Sequence, residues 1–198
     1  MTTPPGATTE TIRAFVAIAL SESIRDALTG VQQQLRQTGA RVRWVEPDRM
    51  HLTLLFLGDL PTAKVPDVAA AMDSVTAETP VFALTLTGGG AFGPKRSPRV
   101  IWSDIRDQDG ALQRLYERLL TSMKAADVTF DDRPFKPHLT LGRVRARQRL
   151  DRLLGVLADM AWPTGPSMTV REILLLQSHL RPEGAMYQTV HTASLANA

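Results

Sequence analysis

"HLTLLFLG" runs from His51 to Gly58, and "HLTLGRV" runs from His138 to Val144, so the tetrapeptide His-Leu-Thr-Leu is written twice. The 198 residues contain four histidines, and two of them open the repeat. Each copy has the period-2 alternation of a β-strand: His51 and Thr53 project to one face, roughly 7 Å apart along the backbone, while Leu52, Leu54 and Phe56 project into the core. His138 and Thr140 repeat the arrangement. One copy is what a half-buried strand produces by packing alone. Two copies, one in each half of the chain, point to chemistry, because each presents an imidazole and a hydroxyl from a rigid element.

Around these strands the pattern alternates between strand and helix. "IRAFVAIAL" (Ile12 to Leu20) reads as a buried strand, and Ser21 or Ser23 caps a helix carrying Ile24, Ala27, Leu28, Val31 and Leu35 on one face. "VRWV" and "HLTLLFL" follow as two strands, and Val65, Val68, Ala69, Met72 and Val75 mark a second helix. The second half loosely repeats the first. "VFALTLTGGGAF" and "RVIWSDI" are strands joined by a Gly- and Pro-rich connector from Gly88 to Pro98. A helix follows with Leu112, Leu115, Tyr116, Leu119, Leu120 and Met123 inward, then the second motif strand, which starts at His138 behind "RPFKP". A short helix spans Leu150 to Met160, and two closing strands cover Met168 to Leu180 and Met186 to Leu195. The expected fold is α+β, with two pseudo-symmetric lobes, each an antiparallel sheet with helices on the outside, flanking a central cleft. Residues 1–10 read as a disordered tail and 11–198 as a single bilobal domain.

Composition bounds the function. A chain that is 43% hydrophobic can bury a full core. Its apolar runs fall far short of the roughly 20 residues of a membrane helix, so a cytoplasmic protein is expected. With no cysteine there is no disulfide, thiolate metal site or cysteine nucleophile. The formal charge is only +3, but Arg133, Lys136, Arg143, Arg145, Arg147, Arg149 and Arg152 cluster around the second motif. A basic stretch beside a candidate site favours an anionic partner, phosphate above all; a solvated basic face is the alternative.

Two His-x-Thr strands related by a pseudo-two-fold axis put two imidazoles on opposite sides of a gap, with two hydroxyls between. Imidazoles can hold opposite protonation states near neutral pH, and hydroxyls can bind the non-bridging oxygens of a phosphate. The arrangement suits in-line displacement at phosphorus without metal, one histidine taking a proton from the nucleophile and the other giving one to the leaving oxygen. A metal site is the natural rival, but neither motif carries a carboxylate at ligand spacing. A non-catalytic RNA-binding module that uses the arginines as its footprint is the second.

The paired motifs resemble those of the two-histidine phosphoesterases, in particular the RNA 2′,3′-cyclic phosphodiesterase branch once labelled 2′-5′ RNA ligase. The resemblance runs through "RAFVAIAL", "VRWVEPDRMHLTLLFLGDL", "GAFGPKRSPRVIW", "RPFKPHLTLGRV" and "LLLQSHLRPEGAMYQ". It implies His51 as the acid that protonates the leaving 3′ oxygen, His138 as the base that activates water, Thr53 and Thr140 as phosphate ligands, and a 2′-phosphomonoester product. It implies no cofactor. The implied partner is RNA ending in 2′,3′-cyclic phosphate, tRNA fragments being one source, and a monomer is expected. Related substrates, small cyclic nucleotides or 2′-5′-linked oligonucleotides, and the reverse ligation stay open within the same class.

Other residues have secondary parts. Arg143 is a candidate substrate-binding residue, but strict alternation turns it away from His138 and Thr140 unless Gly142 forms a bulge. "GGGAFGPKRSPR" lacks the spacing of a phosphate-binding loop and reads as a flexible rim loop offering Lys95, Arg96 and Arg99, or as a plain connector. Phe56 and Trp102 read as core, Trp44 and Phe135 as core or base platforms. His179 and His191 have no threonine two residues on and read as structural. Arg145, Arg147 and Arg149 would track an RNA backbone, or simply be solvated.

Overall fold

The computed structural model describes residues 10–181 and 184–197; the tail expected over 1–10 therefore lies, except for Glu10, outside the described residues. β1 (Thr11–Ala19) sends Val16 and Ile18 into the main core and Phe15 and Ala17 to the opposite face. The Ser21 hydroxyl accepts from the Ile24 N–H to start α1 (Glu22–Arg36), whose Ile24, Leu28, Val31 and Leu35 are buried at helical spacing. The remaining elements are β2 (Val42–Trp44), β3 (His51–Pro61), α2 (Val65–Thr76), β4 (Phe82–Phe92), β5 (Val100–Arg106), α3 (Ala111–Ala125), β6 (Leu139–Val144), α4 (Leu150–Asp159), β7 (Ser167–Val170), β8 (Glu172–Arg181) and β9 (Gly184–Ser194).

The strands follow the order β7-β4-β5-β6-β3-β1-β8-β9, with β2 paired to β6. All these ladders are antiparallel. One pair, Leu52 with Leu139, joins β3 to β6. The sheet thus divides there into two lobes, β3-β1-β8-β9 and β6-β5-β4-β7, and the expected two-lobed α+β architecture is what the chain adopts. Helix α2 packs on α3 and on β8 and β9, while α1 packs on α4 and β7. The helices cover one face of the sheet, and the other face carries the histidine motifs and a small apolar cluster of Phe15, Ala17 and Leu176.

Four details depart from the sequence reading. The glycine run is not loop: β4 continues through Gly88–Gly90 to Phe92, so the connector shrinks to residues 93–99. Glycine is needed there because a Cβ on Gly89 would collide with the Trp162 ring and the Trp102 carbonyl. The first closing strand is two strands parted at Arg171, one pairing with β4 and the other with β1. The C-terminal hairpin therefore completes the lobe that β1 began. Finally, the ladders contain bulges: Leu54 and Leu57 have no partner on β1, and Leu141 has none on β5.

Candidate active site

The site is centred on the Leu52–Leu139 pair. Antiparallel register about that pair sets His51 beside Thr140 and Thr53 beside His138, so the two motifs meet head to tail. The leucines between them are fully buried on the helix side, which fixes the direction of the four polar side chains. A short 3-10 turn, Pro47–Arg49, leads into His51, and Lys136-Pro137 leads into His138. Each histidine ties its Nδ1 to the carbonyl two residues back: His51 to Arg49 at 2.9 Å and His138 to Lys136 at 2.7 Å. With Nδ1–H donating to a carbonyl, Nε2 is left as the exchanging nitrogen on both rings.

The surroundings of the two imidazoles differ. His51 packs against Phe15 at 4.9 Å between centroids and meets Tyr187 edge to face at 5.1 Å. Burial is the main reason its pKa is lowered from the ordinary 6.5; the Arg49 carbonyl pulls it back up, and the nearby His138 charge lowers it further. His138 meets Phe92 edge to face at 5.0 Å, and Phe92 stacks on Trp102 at 4.7 Å. Beside the hydroxyls, Ala17 opposes Thr53 whereas Trp102 opposes Thr140. The threonine from β3 therefore has a small, buried methyl group across from it, and the one from β6 has an indole.

The bulges place two residues where alternation did not. Past Leu54 the parity of β3 inverts, so Leu55 enters the core and Phe56 emerges, 48% exposed, opposite Phe15 on the motif face. Phe56 is not core. Trp102 also lies on the motif face, half-buried, and its Nε1 is buried without an acceptor among the described residues. On β6 the extra residue is Leu141, and Arg143 consequently pairs with Val100, on the same face as Trp102 and Thr140. The bulge that Arg143 required exists, one residue earlier than Gly142. The Leu141 carbonyl is held from both sides, by the Val45 N–H at 2.9 Å and by Nε2 of Gln32 at 2.8 Å; Gln32, only 2% exposed, also donates to the Val45 carbonyl at 2.7 Å.

A family model described as LigT like Phosphoesterase matches residues 18–102 and 105–187, one segment for each histidine motif. The chain belongs to the LigT-like phosphoesterases. Among curated relatives, the RNA 2′,3′-cyclic phosphodiesterase of Thermus thermophilus is 34% identical over 192 residues, 93% of this chain and 90% of that one. The protein of the same name from Methanothermobacter thermautotrophicus is 30% identical over 178 residues, 89% of this chain and 95% of its own. The crystal structure of E. coli LigT in apo form matches with a TM-score of 0.76 at 28% identity, covering 94% of this chain and 99% of that one.

Within this LigT-like site several residues escaped the sequence reading. Phe15, Phe92 and Tyr187 line the histidines. Arg43 stands directly across the β2–β6 ladder from Arg143, and Arg49 and Arg143 both act electrostatically on the Tyr187 hydroxyl. One signal was available: Arg49 precedes His51 by two residues, as Lys136 precedes His138. Other expectations fall outside the site. Arg145, Arg147 and Arg149 are exposed beyond the end of β6, and the Arg149 side chain lies over Gly39. Trp44 and Phe135 pack on the main core, Phe135 stacked on Tyr116 at 4.2 Å. His191 bonds Asp73 on α2 at 2.8 Å, and His179 lies 3.3 Å from Gln188; both are structural cross-links. Among the described residues no three His, Cys, Asp or Glu side chains converge as a metal-holding group, and no helix is long and apolar enough to cross a membrane.

Proposed function

We propose that this phosphoesterase opens the 2′,3′-cyclic phosphate at an RNA 3′ end to a 2′-phosphomonoester, using its two histidines as acid and base. The observation that carries this reading is the pair of imidazole–hydroxyl sets related about Leu52 and Leu139, each ring oriented by a carbonyl two residues back. The names of the relatives supply the substrate class. Nε2 of His138 takes a proton from water as its oxygen attacks phosphorus; the bond from phosphorus to the 3′ oxygen breaks; Nε2–H of His51 gives that oxygen its proton. His138 ends protonated and His51 neutral, and exchange with solvent restores both. The Thr53 and Thr140 hydroxyls and the Arg143 guanidinium donate to the non-bridging oxygens, where charge concentrates in the transition state.

Burial by itself keeps His51 neutral in the free protein. A depressed pKa makes His51 a ready proton donor once charged, and the bound phosphate anion favours its charging. The same proposal places the chain in the cytoplasm as a monomer acting on RNA ends such as those of cleaved tRNA. Its test is a short RNA ending in 2′,3′-cyclic phosphate, incubated with the protein in a chelator and followed by phosphorus NMR. A 2′-phosphate signal is expected; a 3′-phosphate would reverse the assigned direction of ring opening, and an unchanged cyclic signal would refute the activity.

A further inference from the structure

Arg43, Arg49 and Arg143 form a group of cations on the motif face, near Tyr187. Arg43 and Arg143 are directly opposed across a strand pair, a placement that costs stability when both residues carry the same charge. A Cβ on Gly184 of β9 would lie 2.5 Å from Nη1 of Arg49 and 3.3 Å from Nη2 of Arg43, so the ends of these two side chains meet over the bare backbone of that glycine. Arg49 and Arg143 in turn both bear on Tyr187, whose ring touches His51. Among the described residues, none of the three forms an ion pair. Guanidinium groups held this close favour an anion between them.

The geometry points to a second anion-binding subsite at Arg43 and Arg49, distinct from the scissile position, that takes the 5′-phosphate of the nucleotide carrying the cyclic ester, which in an RNA is the preceding internucleotide link. The direction rests on the reading given above. In-line attack puts the leaving 3′ oxygen, and hence the ribose, on the side of His51. The 5′ substituent of that ribose then extends along the Phe15–Tyr187 wall toward Arg49 and Arg43. Arg143, between the two positions, bridges the scissile phosphate and its neighbour. Both cationic side chains are used because a phosphodiester link spreads its single charge over two non-bridging oxygens, each of which can accept from a donor.

The test compares two substrates that differ at one position: a nucleoside 2′,3′-cyclic phosphate with a 5′-hydroxyl, and the same compound with a 5′-phosphate. The wild-type protein is expected to prefer the 5′-phosphate by about tenfold in kcat/KM, the scale of one charge-assisted contact. In the variant Arg43→Gln that preference should fall severalfold while turnover of the 5′-hydroxyl substrate stays within about twofold, so that substrate also reports on folding. Calorimetry with the adenosine 2′,5′-bisphosphate and 2′-monophosphate pair reads the same subsite without turnover. Absent turnover of both cyclic substrates with an intact calorimetric preference would sink the assigned reaction and leave the subsite standing. No preference in the wild type by calorimetry, an unaltered preference in Arg43→Gln, or an equal loss on both substrates would overturn the subsite.

Discussion

The His51 ring lies against the Phe15 ring, centroids 4.9 Å apart and planes tilted by 34°. That contact keeps water from one side of the imidazole and is part of the burial that lowers its pKa from 6.5. The sign follows directly. As pH falls below 6.5 the unfolded chain binds the proton before the folded one does, so stability is lost progressively from there down to the depressed folded value. Phe15→Leu should let water in, raise the His51 midpoint toward 6.5 in an NMR titration of the imidazole, and flatten the fall in unfolding free energy on the acid side. A midpoint that stays put would assign the shift to something other than this ring.

The acid and base assignments separate when the leaving group changes. Each histidine should contribute on the order of 10²–10⁴-fold on the cyclic ester. A nitrophenyl phosphodiester releases a stable anion, so His51→Ala should recover most of its rate on it. His138→Ala should not, since water still lacks its base. Thr53→Val and Thr140→Val should slow both substrates, because contacts to the phosphate oxygens do not depend on what leaves. Equal responses of the two histidine variants would contradict the division of roles.

Gln32 acts on the site from behind the sheet. Gln32→Leu removes the Val45 carbonyl's side-chain donor and one of two donors to the Leu141 carbonyl, the residue whose bulge turns Arg143 to the motif face. The expected cost is about 1–3 kcal/mol by denaturant unfolding. Looser placement of Arg143 should also raise KM for a cyclic nucleotide more than it lowers kcat. A stability loss with kinetics untouched would make Gln32 a purely structural residue.

Glycine substitutions should divide by what surrounds them. Gly89→Ala drives a methyl into the Trp162 ring and the Trp102 carbonyl, and overpacking of this kind costs about 1–3 kcal/mol, or roughly 2–4 °C in Tm for each kcal/mol in a chain of this size. Gly155→Ala, inside α4 with nothing within 4 Å of the added carbon, should instead stabilise by up to about 1 kcal/mol. Thermal melts of the two variants moving the same way would disprove the assignment of Gly89 to close packing.

The legible part of this molecule is the part governed by strict periodicity. Leu52 and Leu139 are buried and the His and Thr residues share a face because side chains alternate on a strand, and α1 is legible in its spacing and its serine cap. Bulges were illegible because an extra residue leaves no composition mark: Leu54 and Leu141 look like any other leucine, yet they turn Phe56 and Arg143 to the motif face. The glycines of β4 read as loop because the reason for them, Trp162, lies some seventy residues on and meets them only in three dimensions. Arg43, Arg49 and Tyr187 come from three separate elements, and no local pattern announces that they converge.

The hairpin of β8 and β9 belongs to the lobe that opens with β1, although every strand of the other lobe lies between them in sequence. During synthesis the later lobe can therefore finish first, once Val170 has emerged, while β1 and β3 wait with one edge unfilled until β8 arrives to pair with Ala14 through Ala17. Tyr187 reaches His51 only at that last step. Chemical competence and completion of the fold thus arrive together, and a nascent chain halted before the hairpin holds both His-Leu-Thr-Leu strands without the wall that encloses the first of them.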